Sequence, residues 1–129
     1  MDIWKVYENQ RDHILKRFQD IVLHTDVIRS ENGFPLKLRL YIIDGSVADV
    51  FCSLKGRYSY HWERRPFNGT IYRHDNAPHH KWKNIRTFPK HFHNGQDHNV
   101  SESFISDDPI IAVGEFLSFV RQKLIVSNI

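Results

Sequence analysis

Hydrophobic and polar positions change period along this chain, from helical to alternating and back. Ile3, Trp4, Tyr7, Ile14, Leu15 and Phe18 recur at mostly helical spacing behind Asp2, a candidate N-cap, which predicts a helix from about Ile3 to Gln19. A short strand is expected near Ile21 to Arg29. After the turn residues Glu31-Asn32-Gly33, Leu36, Leu38, Leu40 and Ile42 alternate with Lys37, Arg39 and Tyr41, the period of a half-buried strand. Asp44-Gly45-Ser46 predicts a tight hairpin, because glycine adopts the positive φ such turns require, and VADVFCSL then returns antiparallel. In the next strand Tyr58, Tyr60 and Trp62 alternate with Ser59, His61 and Glu63, and Asn68-Gly69 turns the chain into TIYRHD. Near the end, Ser106-Asp107-Asp108-Pro109 supplies a cap and a first-turn proline. Ile110, Val113, Phe116, Leu117, Val120 and Leu124 then form one apolar stripe. The expectation is a single domain, 1–129, of α+β class in two layers. It has an antiparallel sheet of about four or five strands, an N-terminal and a C-terminal helix, and a long His-rich loop.

That loop, from Asn76 to about Ser103, shows no period, and its aromatics Trp82, Phe88 and Phe92 predict that it is packed. Charge sharpens the picture. The whole chain carries a formal +3, but residues 57–93 hold eight Lys/Arg against two acids, so a cationic surface sits on an otherwise slightly acidic body. An anionic partner follows, nucleic acid first. The single cysteine, Cys52, lies in an apolar run and reads as a small buried hydrophobe rather than a nucleophile. With no h-region at the N-terminus and no membrane-length apolar run, the sequence predicts a cytoplasmic protein without membrane contact. There is no GxxxxGK[ST], GxGxxG or GxSxG motif and no restriction-type Glu-x-Lys pattern.

Six of the nine histidines fall between positions 74 and 98. Imidazole gives or takes a proton near neutral pH, and two of them flanking a phosphodiester suffice for metal-free RNA cleavage. On this reading His79 or His80 is the general base and His91 or His93 the acid, with Asp75 orienting one ring. Arg73, Lys81 and Lys90 bind the scissile phosphate, Lys83 and Arg86 extend the basic path, and Tyr72, Trp82 or Phe88 stack bases. A different chemistry uses the same side chains. His91-Phe92-His93 in extended backbone points two imidazoles to one side, and with Asp75 and His79 or His80 these could hold a divalent transition metal. The first reading needs no cofactor; the second makes the metal one.

YSYHWE (58–63), YRHDNAPHH (72–80), TFPKHFH (87–93) and VSES (100–103), taken together before an amphipathic helix, resemble the TumE-like toxins of prokaryotic type II toxin–antitoxin systems, formerly a domain of unknown function. The resemblance spans most of the chain. It implies a small toxin made beside a cognate DNA-binding antitoxin, with an RNA substrate as the commonest target of such toxins and a homodimer among the assemblies open to it. The motif positions it carries over are Arg73, Asp75, Asn76, His79, His80, His91 and His93. His74 stands where an aromatic is more usual, Lys90 replaces the first histidine after Phe-Pro, and KWKNIR is more basic than usual. If position 90 is catalytic in relatives, Lys90 serves as a charge stabiliser but is a poor general base. A non-catalytic nucleic-acid- or partner-binding module is the alternative of another class.

Overall fold

The structure is a computed structural model that describes residues 2–127. Helix α1 spans Ile3–Arg17, with the Asp2 carboxylate accepting the Lys5 amide at 2.9 Å as the expected cap. Seven antiparallel strands follow in simple meander order: β1 (Val22–Arg29), β2 (Pro35–Ile42), β3 (Val47–Cys52), β4 (Tyr58–Arg64), β5 (Thr70–Asp75), β6 (His91–Gly95) and β7 (Val100–Glu102). A single helical turn, α2 (Arg65–Asn68), joins β4 to β5, and α3 (Pro109–Ser127) closes the chain. Asp108 caps α3, its Oδ1 accepting the amides of Ile110 and Ile111 at 2.9 and 3.0 Å.

Alternation makes the two faces of the sheet chemically different. Leu38, Leu40, Ile42, Ala48, Val50, Tyr60 and Trp62 point to one face, where α1 and α3 cover them with Tyr7, Ile14, Val113, Phe116, Leu117 and Val120. The two helices approach closely at Gly114, where an added Cβ would lie 3.1 Å from the His13 imidazole. Arg121 ties them to the chain after α1 through Asp20 and the Arg17 carbonyl. Some polar groups buried on this face have partners: Trp62 Nε1 donates to Ser46 Oγ at 2.8 Å, and the buried Arg64 lies over the Trp62 ring and pairs with Asp44. Gln10 Oε1, the Tyr58 hydroxyl and Arg64 Nε have none among the described residues. Cys52 is buried, its thiol pushed up by burial.

The class and both helices agree with the sequence expectation, but the sheet has seven strands instead of four or five. The two extra strands lie inside the segment read as an aperiodic loop. In β6 the inward positions are His91 and His93, so its alternation is polar and invisible to a hydrophobic pattern; β7 is only three residues long. The remaining loop, residues 76–90, folds as consecutive turns around one short 3-10 turn, His80–Trp82.

Candidate functional site

The second face of the sheet carries the polar residues, and strand register assembles them. Across β4, β5 and β6, His61 pairs with Arg73, Arg73 with His93, and Asp75 with His91. Directly opposed residues of antiparallel strands share a face with Cβ atoms about 5 Å apart. Arg73 and Asp75, two apart on β5, therefore meet His93 and His91, two apart on β6, as a two-by-two block. The loop after β5 returns over this block, and the Trp82 ring lies 6.1 Å from the His91 ring and 6.0 Å from the His93 ring. Under that cover Asp75, His91 and His93 are only 8, 0 and 4% exposed.

Backbone carbonyls fix how both imidazoles face the carboxylate. His91 Nδ1 lies 2.8 Å from the Pro89 carbonyl oxygen, and His93 Nδ1 lies 2.8 Å from that of Asp97. A carbonyl only accepts, so each Nδ1 carries the proton and each Nε2 is left as the open position facing Asp75. His91 Nε2 is 3.1 Å from Asp75 Oδ1 and His93 Nε2 is 3.7 Å from Oδ2. Arg73 completes the group: its Nε pairs with Asp75 Oδ2 at 3.1 Å and its Nη2 sits 3.4 Å from His93 Nε2. On the solvent side the same guanidinium reaches Asp97 at 3.5 Å. Burial alone would raise the Asp75 carboxyl, but the neighbouring His93 ring, the Ala77 amide and the Arg73 guanidinium outweigh it and hold it at about 2.

Among the described residues five buried side-chain polar atoms lack a partner, and His91 Nε2 is the one within the polar block. It is fully buried and, despite its 3.1 Å approach to Asp75, makes no aligned hydrogen bond. A buried polar atom without a partner costs about 1–3 kcal/mol, and native proteins leave few of them. The three donor atoms of Asp75, His91 and His93 lie within 4.8 Å of one another, so the group has the donor set of a divalent transition-metal site.

The other candidate residues divide. His79 and His80 are exposed at the start of the 3-10 turn, and they do not join the metal-competent group. Lys81 lies over the Trp82 ring, while Lys83 is exposed and Arg86, also exposed, pairs with Glu102 at 3.1 Å. Lys90 points inward: it donates to the Ile105 carbonyl and pairs with Asp107, so it closes the loop onto the α3 approach instead of lining a surface. Asn76 is structural, clasping the β3–β4 turn through the Tyr58 amide and the Gly56 carbonyl. His74 lies on the opposite, helix-covered side, stacked on Phe92 at 4.2 Å and bonded to Ser103. Burial there, with help from the Lys90 charge, lowers its pKa to about 4 and keeps it neutral, so it serves as the aromatic that it replaces. Two participants had no sequence signal as site residues. The Asp97 carboxylate reaches Arg73 and Arg65, while His61, opposite Arg73, is half-buried against Glu63. Burial pushes the His61 pKa down.

The profile of the family described as Toxin TumE matches residues 11–124, from within α1 to the last turns of α3. The chain belongs to the TumE toxin family. The match takes in every residue of the polar block and the loop above it, and membership implies an antitoxin partner for this TumE chain. No curated protein and no solved structure matches it. Among the described residues no helix is long and apolar enough to cross a membrane.

Proposed function

We propose that this TumE toxin is a cytoplasmic endoribonuclease that cuts RNA where the loop 76–90 meets the Asp75–His91–His93–Arg73 block. The single observation that carries the reading is the pairing of a buried polar cluster, edged by the Arg73 guanidinium, with exposed imidazoles and cations on the loop that roofs it. Arg73 and the loop cations Lys81, Lys83 and Arg86 attract the phosphate backbone, and the partly exposed Trp82 ring offers a surface on which an unpaired base stacks. The exposed His79 and His80, at the start of the loop's 3-10 turn, are the groups suited to move protons. One takes the proton of a ribose 2′-OH as that oxygen bonds to phosphorus. The 5′ oxygen leaves with a proton from the other imidazole or from water, giving a 2′,3′-cyclic phosphate and a 5′-hydroxyl. The buried block then stabilises the charge that grows on the phosphoryl oxygens. His91 is too deeply buried, with Nδ1 committed to Pro89, to be the general acid itself.

Expression of the toxin without its antitoxin, followed by mapping of RNA 5′ ends, tests this. New 5′-hydroxyl ends that disappear in a His79→Ala/His80→Ala variant are expected. Growth arrest with intact cellular RNA overturns the reading in favour of a protein target.

A further inference from the structure

We propose that Asp75, His91 and His93 bind one divalent late first-row transition metal ion, and that this ion is the positive end of the site described above. The inference rests on the ribonuclease reading for the ion's use and on geometry alone for its existence.

Three independent features converge. The first is the donor set. Two imidazole nitrogens and one carboxylate oxygen suit zinc, cobalt, nickel, iron or manganese, whereas magnesium and calcium prefer an all-oxygen shell. The second is orientation. Each histidine anchors its Nδ1–H on a backbone carbonyl, Pro89 for His91 and Asp97 for His93, which leaves the Nε2 lone pair pointing at the shared point. Outer hydrogen bonds of this type set the tautomer and ring angle of metal-binding histidines. The third is the orphaned His91 Nε2, buried, close to Asp75 Oδ1 and yet out of line for a hydrogen bond. A proton shared by two atoms sits near the line between them. A metal sits at the apex above that line, so ligands converge on it while pointing past each other.

The distances fit as well. Metal–ligand bonds of about 2.0–2.2 Å in tetrahedral array place neighbouring donor atoms about 3.4 Å apart. One donor atom from each of the three residues lies within 4.8 Å of the other two. The carboxylate comes to 3.1 Å of His91 Nε2 through Oδ1 and to 3.7 Å of His93 Nε2 through Oδ2, so small side-chain rotations bring the set to that spacing. Three protein ligands leave a coordination position open, the mark of a catalytic rather than a structural site. Arg73 competes for part of the same space, since it holds Asp75 Oδ2 and His93 Nε2. Its second partner, the exposed Asp97 carboxylate, gives it a place to swing to as the ion enters.

The test uses full-length protein made without a polyhistidine tag, stripped with chelator, and titrated separately with Zn²⁺, Co²⁺ and Mn²⁺. One ion per chain by calorimetry and elemental analysis is expected, together with a rise in melting temperature. His93→Gln should lose stoichiometric binding, and the exposed His98→Gln should keep it. Because variants of buried residues can misfold, X-ray absorption of the cobalt-loaded wild type counts the imidazoles directly. Two are expected, and one or none overturns the assignment. RNA cleavage separates the two readings. Undiminished cleavage by chelator-stripped protein that takes up no ion overturns the metal and leaves the ribonuclease. Stoichiometric metal with no cleavage in any metal leaves the site and removes the ribonuclease.

Discussion

The two faces of one sheet solve burial in opposite ways. Under α1 and α3 the buried atoms are almost all carbon, and aromatic rings interlock there, Tyr60 with Phe116 at 5.8 Å and Trp62 with Tyr72 at 5.6 Å. Polar exceptions there are few and neutral apart from Arg64; Trp62 Nε1 is matched by Ser46, while Gln10 Oε1, the Tyr58 hydroxyl and Arg64 Nε are left without a partner among the described residues. Under Trp82 and the loop 76–90, the same degree of burial is spent on a carboxylate, two imidazoles and a guanidinium. One of those imidazole nitrogens has no partner. Burial of apolar groups returns about 25 cal/mol per Å², while burial of charged and unpaired groups costs free energy. The helix face therefore holds the fold, and the loop face retains an arrangement that stability alone would not favour. Such costly polar clusters are where function is expected.

Substitutions can break this contrast. The largest expected effect is on the loop face and purely functional: His79→Ala/His80→Ala lowers RNA cleavage about 10²–10⁴-fold and changes unfolding free energy by under about 0.5 kcal/mol. Cleavage assays beside urea denaturation check both halves. A matching loss of stability would place these exposed rings in the structural class. On the helix face Phe116→Ala does the reverse, costing about 3–5 kcal/mol of stability through the cavity it leaves. Its measure is the denaturation midpoint, with cleavage by the fraction still folded unchanged. Trp82→Ala falls between them. If the ring stacks a base, RNA affinity drops by about 1–3 kcal/mol in a direct binding assay, with helix-face packing untouched.

The smallest effect concerns Glu63, on the loop face but outside the block. Its hydrogen bonds from Arg65 hold the Glu63 carboxyl at about 2, against an ordinary value of 4.5. Because the folded value lies below the unfolded one, the ion pair stabilises the protein above about pH 4.5, and that contribution fades as pH falls toward 2. For a largely solvent-screened pair it amounts to under about 1 kcal/mol. Glu63→Gln should flatten stability over that window and leave it unchanged in shape above; an unaltered acid limb would show that the pair contributes nothing.

Much of this was legible in the residues. The alternation from Leu36 to Ile42 and from Tyr58 to Glu63 set the strands and the helix-facing side, and the Asp-Asp-Pro cap located α3. The turn glycine at position 45 does have the positive φ, 89°, that the hairpin needs. The YRHDNAPHH and TFPKHFH segments pointed to the family, and they contain the residues of the buried polar block. Other features were hidden. Strand β6 reads as a loop because its inward side chains are histidines, which no hydrophobic period marks. Lys90 looks like one more loop cation until the Ile105 carbonyl is found beside it. His79, His80, His91 and His93 look equivalent in sequence, yet two are exposed and two are buried.

By itself, then, the sequence determined the class of fold, the helix-facing core and the inventory of proton- and metal-binding groups, because period and side-chain chemistry are local properties. Only tertiary structure decided which of those groups meet. Cross-strand register sets Asp75 against His91 and Arg73 against His93, and two backbone carbonyls choose the nitrogen each imidazole presents. Neither register nor the position of a distant carbonyl is written in the spacing of residues along a chain.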